Sequence, residues 1–121
     1  MFNIGVLVKI FERSPYVSKA ALFISRVKSS GKEHSDVDIA LYGDLSTTEF
    51  ERVVKELDDL TIARKFDVVA YDLIKDTQMR EIIDNTGLTV YVKDDADFTI
   101  PSEDEVNIWQ FSQIDGDMQD I

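Results

Sequence analysis

Apolar residues Phe2, Val6, Leu7, Ile10 and Phe11 recur at helical spacing, and Ser14-Pro15 ends the run. That pattern predicts a first helix from Phe2 to Arg13. Val17 to Ile24 is nearly continuous in apolar residues, the signature of a strand buried on both faces. Ser25 to Ser35 is polar and basic, with Gly31 inside it, and reads as a short helical turn and a loop. Val37 to Tyr42 predicts a second strand, ended by Gly43-Asp44.

Ser46-Thr47-Thr48-Glu49 is a capping-box sequence that starts a helix carrying Phe50, Val53, Val54 and Leu57 on one face. Phe66 to Leu73 predicts a third strand. Asp76 caps a helix from Thr77 to Asn85 whose Met79, Ile82 and Ile83 point inward, and Gly87 ends it. Leu88 to Val92 is a short fourth strand. Only a turn separates the first two strands, so they pair antiparallel, whereas the third follows a helix and can return parallel. The expected fold class is α+β: a small mixed β-sheet with helices packed on one face.

The chain has 121 residues, 44% hydrophobic and 31% charged, which fits one soluble globular domain. Its net charge of −11 comes from 24 acids and 13 bases. The asymmetry is local. Residues 94–121 hold nine acids and no base, which leaves 15 acids and 13 bases, a net of −2, for residues 1–93. The expected organisation is therefore a body over 1–93 and an acidic C-terminal extension over 94–121. Zero cysteine excludes disulfides, thiolate metal sites and a cysteine nucleophile, and the single His34 excludes a histidine-rich metal site. The acidic balance speaks against nucleic acid as a partner. No apolar run is long enough to span a membrane and no basic secretory leader is present, so a cytoplasmic location is expected.

The sharpest chemical feature is Ser35-Asp36-Val37-Asp38 at the start of the second strand. In a strand, Asp36 and Asp38 share a face, about 7 Å apart. Two carboxylates so placed repel each other unless a cation bridges them. Mg²⁺ suits them, because it takes hard oxygen ligands and is held by one or two carboxylates plus substrate phosphates. On these residues alone, two solvated acids at a strand edge are the simpler reading, since Asp-x-Asp occurs often by chance. Asp67 starts the third strand and could complete a triad able to hold two divalent ions, whereas Asp72 lies at its far end and on the other face. Ser25, Arg26 and Lys28 lie in the basic loop, where a hydroxyl, amides and cations could receive a triphosphate. A solvated loop remains the alternative.

These motifs resemble the minimal nucleotidyltransferase (MNT) family of the DNA polymerase β-like nucleotidyltransferase superfamily. Its pattern is Gly-Ser, ten residues, Asp-x-Asp, then a third Asp on a later strand. Here Ser25 is followed by ten residues and Asp36-Val37-Asp38. Leu22-Phe23-Ile24-Ser25-Arg26-Val27-Lys28 resembles the family's phosphate-loop sequence, and Lys65-Phe66-Asp67-Val68-Val69 its third-acid strand. Arg80 to Ile83 and Gly87 to Tyr91 resemble its closing helix and strand. The resemblance covers about residues 4–92.

It implies that Asp36, Asp38 and Asp67 are catalytic and hold two Mg²⁺ ions. It implies that Asp67 helps deprotonate an acceptor hydroxyl, and that Ser25, Arg26 and Lys28 bind nucleotide. The implied reaction moves a nucleoside monophosphate, AMP from ATP, to a hydroxyl of a protein partner. Such proteins act as antitoxins of HEPN-type helical toxins, and a homo-oligomer is compatible with this reading. Two family glycines are replaced, by Ile24 and Ser29, and glycine is what lets a backbone approach phosphates closely. Two readings therefore stay open: an active nucleotidyltransferase, or a catalytically impaired module of the same fold that acts by docking a partner. The extension carries Val106, Ile108 and Trp109 among its acids, and packing on the body, docking a basic partner and disorder are its three readings.

Overall fold

The computed structural model describes residues 4–24, 37–60 and 65–119, with side chains left aside at 111 and 113–119. Helix α1 (Ile4–Glu12) leads into β1 (Lys19–Phe23) and β2 (Val37–Tyr42). Helix α2 (Thr47–Asp58) connects to β3 (Phe66–Ala70), which runs into a 3-10 turn (Tyr71–Leu73). Helix α3 (Thr77–Thr86), β4 (Leu88–Val92) and α4 (Glu103–Gln119) complete the order.

The four strands form one mixed sheet in the order β3-β2-β1-β4. β1 pairs antiparallel with β2 and with β4, and β2 pairs parallel with β3. The parallel pairing follows from α2, because a strand that leaves through a helix re-enters in the same direction. The expected α+β fold with a mixed sheet is present.

Alternation along β2 sorts the core into two layers. Val37, Ile39 and Leu41 join a large cluster with Leu7 and Phe11 of α1 and Val53 and Leu57 of α2. Leu7, Phe11, Ile39 and Leu41 have no exposed surface. Each such burial stabilises the fold by about 1.5–3 kcal/mol. Ala40, of the opposite parity, packs with Phe23 and with Ile83 of α3 in a second, smaller cluster. So α1 and α2 take one face as expected, and α3 adds a layer on the other, because Met79, Ile82 and Ile83 need an apolar surface and the first face is already covered.

Local signals act as the sequence suggests. Ser46 Oγ accepts from the Glu49 amide at 3.2 Å, and Asp76 Oδ1 accepts from the Gln78 amide at 2.9 Å. Gly87 ends α3 differently from expectation. Its φ of −70° is not left-handed; its amide instead donates to the Ile83 carbonyl at 2.8 Å. A Cβ there would lie 2.5 Å from that oxygen, so glycine is needed for close approach. Gly43 does need its backbone freedom, with a φ of +135°.

The acidic segment is folded onto the body in its first turns. Ser102 and Glu105 form a reciprocal cap: the Ser102 amide donates to Glu105 Oε1 at 2.8 Å, and the Glu105 amide donates to Ser102 Oγ at 3.1 Å. Val106 is buried in the large cluster and Trp109 packs against it. Trp109 Nε1 donates to the Thr86 carbonyl at 2.7 Å, satisfying an acceptor that α3 leaves open at its end. Among the described residues, no helix is long and apolar enough to cross a membrane.

Candidate nucleotidyltransferase site

The parallel register sets Asp38 of β2 directly opposite Asp67 of β3. Directly paired residues on neighbouring strands sit about 4.8 Å apart at the backbone and project from the same face. Both acids therefore stand on the α3 face, one step before Ala40 and Val69 on their strands. Across the other edge of β2, Asp38 is paired with Phe23, the last residue of β1. Strand ends are locked here, since the Val37 amide donates to the Lys65 carbonyl at 3.2 Å.

The two carboxylates differ in setting. Asp38 is buried and Asp67 is exposed. A buried carboxylate beside a second one is a costly arrangement that positive charge relieves. Hard oxygens on two adjacent strands, one held rigidly inside and one open to solvent, fit a divalent cation such as Mg²⁺ with a side left for a ligand. Among the described residues, no group of three potential ligands comes together. Asp36, the third member of the expected triad, lies outside the described residues, as do Ser25, Arg26 and Lys28. Ile24, just past β1, and Val37, the first residue of β2, flank residues 25–36, and both lie at the carboxylate end of the sheet.

Asp72, at the far end, has a structural part: its Oδ2 accepts from the Gly43 amide at 3.1 Å, tying the 3-10 turn to the end of β2.

Sequence reasoning did not foresee the aromatic support at the opposite end of the strands. Tyr42 and Tyr71 stack at 4.4 Å between ring centroids. Lys19 Nζ lies 4.6 Å above the Tyr42 ring, and the Arg80 guanidinium 5.0 Å from the Tyr71 ring. The Tyr71 hydroxyl donates to both carboxylate oxygens of Asp84, at 2.9 and 3.1 Å. Burial pushes the Tyr42 hydroxyl up to about 12, with Tyr71, Asp84 and Asp72 adding to the shift. The available signal was a tyrosine just past each strand's apolar run, at Tyr42 and Tyr71.

A mixed sheet that delivers carboxylates from two neighbouring strands to one end is the frame of a nucleotide-transfer fold. The family model for polymerase beta, nucleotidyltransferase, matches residues 6–96, and the chain belongs to that family. Two solved structures share the fold. One is the crystal structure of the toxin–antitoxin MntA-HpeT carrying two aspartate-to-glutamate substitutions, at 13% identity and a TM-score of 0.59. It is matched over 98% of this chain and 88% of its own. The other is a toxin–antitoxin with AMP-PNP, at 15% identity and a TM-score of 0.58, over 98% of this chain and 89% of its own. Matches of that extent run past residue 93 into the acidic helix. Comparison with curated protein sequences found no match.

Proposed function

We propose that this protein is a Mg²⁺-dependent nucleotidyltransferase that moves AMP from ATP to a hydroxyl of a protein partner, as the antitoxin of a HEPN-type helical toxin. The observation that carries the reading is the direct pairing of Asp38 with Asp67. The toxin–antitoxin neighbours, one with an ATP analogue, support the biological setting. Residues 1–93 form the transferase body, and 94–121 its acidic extension. The protein is cytoplasmic, uses no membrane, and takes nucleotide rather than nucleic acid.

In this reading Asp36, Asp38 and Asp67 hold the metal, and Ser25, Arg26 and Lys28 receive the phosphates. Two Mg²⁺ ions held by these carboxylates would supply positive charge that offsets the charge developing on the transferred phosphoryl group. The acceptor oxygen bonds to the α-phosphorus, the bond to the bridging oxygen breaks, and pyrophosphate leaves. Asp67, the solvent-facing carboxylate, takes the hydroxyl proton. Buried Asp38 serves orientation, because its side chain has little freedom to lose on binding.

The test is incubation of the chain with Mg²⁺, α-labelled ATP and the product of the neighbouring gene. Label should move to the partner and disappear with Asp36→Asn plus Asp38→Asn. Transfer that survives this double substitution overturns the site. A second reading, a docking module without chemistry, rests on Ile24 and Ser29 in place of glycines. It predicts that the same double variant still neutralises the toxin.

A further inference from the structure

Between α3 and the residue that follows β1 the structure holds a cavity of about 400 Å³ that the transfer chemistry does not use. It is lined by Ile24, Gln78, Glu81, Ile82, Asn85 and Thr86. Ile24 directly follows Phe23, whose strand partner is Asp38, so the cavity opens at the carboxylate end of the sheet. Ile82 packs on the cluster that contains Phe23. The helix presents two different sides. Arg80 and Asp84 are engaged with Tyr71, towards the far end of the strands. Gln78, Glu81 and Asn85, spaced three and four apart, form the other side, and their side chains make no hydrogen bond among the described residues.

Among the described residues the lining has two apolar side chains, two amides, one hydroxyl and one carboxylate, and no cation. Phosphate fits the described lining poorly, because Glu81 repels it. A flat heterocycle fits better. Ile24 and Ile82 would cover its faces, the amides can give and take hydrogen bonds at its edge, and Glu81 can accept from an exocyclic amino group. At the N7 edge adenine presents an amino group beside an acceptor, whereas guanine presents two acceptors, so amide side chains pair with adenine there and a carboxylate accepts from its amino group but is repelled by guanine. We infer that this α3 cavity reads the nucleobase at its N7 edge and selects one bearing an amino group there, adenine above guanine and uracil. Gln78, Glu81 and Asn85 are its specificity-determining residues. Ile24 is then a working wall of the base site, supplying apolar surface that a glycine there would lack.

The inference rests on the nucleotide reading of the Asp38 and Asp67 site, and the experiment separates the two. Calorimetry of the full chain with Mg²⁺ is run against ATP, GTP and UTP, with inorganic tripolyphosphate as a base-free probe. Asn85→Leu and Gln78→Leu should each weaken ATP about tenfold, within the range for a lost base contact, and leave tripolyphosphate unchanged. Glu81→Gln should narrow the preference for ATP over GTP, and Ile24→Gly should weaken ATP relative to tripolyphosphate. These α3 side chains are exposed, so the fold tolerates the changes. If ATP and tripolyphosphate weaken together, or ATP does not weaken at all, the base pocket is refuted while the phosphate and metal site stands. If no nucleotide binds the wild-type chain, or Asp38→Asn leaves Mg²⁺–ATP affinity intact, the underlying reading fails, and the pocket with it.

Discussion

Trp109 is the test of whether the acidic helix belongs to the folded unit. Trp109→Phe keeps most of the apolar surface and removes one hydrogen bond, the 2.7 Å bond to the Thr86 carbonyl. A net hydrogen bond is worth about 0.5–1.5 kcal/mol, and an acceptor left short of a partner in a part-buried place adds to that, so a loss of about 1–2 kcal/mol is expected. Trp109→Ala also removes the ring from the large cluster. Full truncation of a core aromatic costs about 3–5 kcal/mol, and a half-buried ring should lose roughly 2–3 kcal/mol of it. At a urea slope of about 1.5 kcal/mol/M, the Phe variant's midpoint falls by about 1 M and the Ala variant's by roughly twice that, with the slope unchanged. Circular dichroism reads both variants. The wild type offers an internal check, since Trp109 is the chain's single tryptophan. Its fluorescence should change at the same urea concentration as the dichroism, as one cooperative unit requires. An unchanged midpoint in Trp109→Ala, or an early fluorescence transition, would refute docking of α4 as part of the fold.

Gly87→Ala places a methyl 2.5 Å from the Ile83 carbonyl oxygen, a backbone atom that cannot rotate away, and should cost about 2 kcal/mol in a denaturation midpoint. The Tyr42 hydroxyl titrates near 10 in the unfolded chain and near 12 in the fold. The fold therefore favours its neutral form, and stability should fall as pH rises from about 10 to 12. Tyr42→Phe should remove that part of the alkaline loss, as read by urea midpoints across the range. Ser102→Ala removes the cap of α4 and should cost about 1 kcal/mol, with the dichroism of the last helix fraying first on heating.

Local chemistry was legible and pairing was less so. Ser46 and Asp76 could be read as caps because a cap acts within three residues. The strand from Val37 to Tyr42 carried its own pattern and ends where expected. The third strand was read too long, through Leu73, because its apolar run continues into Tyr71 and Leu73. The chain turns at Tyr71 instead, where the Ile74 amide returns to the Tyr71 carbonyl and Asp72 reaches Gly43, 29 residues away. No window of sequence contains that contact. Asp38 and Asp67 stood out as acids at strand starts, but their direct pairing depends on the β2–β3 register, which the intervening helix sets in space. The contact made by Trp109 was not legible, because its partner, the Thr86 carbonyl, is a backbone group with no sequence signature. Nothing in the sequence marked Gln78, Glu81 and Asn85, since only the fold shows that this side of α3 borders Ile24.

The ties on α3 explain why that side matters. Towards its middle, Asp84 and Arg80 engage Tyr71. At its C-terminal end, Thr86 accepts from Trp109, and Gly87 is drawn against Ile83. Met79, Ile82 and Ile83 face the sheet. A helix fixed on three sides cannot roll, so the remaining side holds its residues at a constant distance from the end of β1. That rigidity is what a specificity surface needs, because a base contact discriminates only if the protein cannot shift to satisfy the wrong base. The acidic helix then has a structural use at the site without touching substrate. By anchoring Trp109 on Thr86, it holds the C-terminal turn of α3, which lines the cavity. Detaching α4 through Trp109→Ala should therefore reduce discrimination between ATP and GTP as well as stability, while tripolyphosphate binding is retained. Equal loss of both nucleotides and tripolyphosphate would mean that α4 supports the whole domain and gives α3 no particular rigidity.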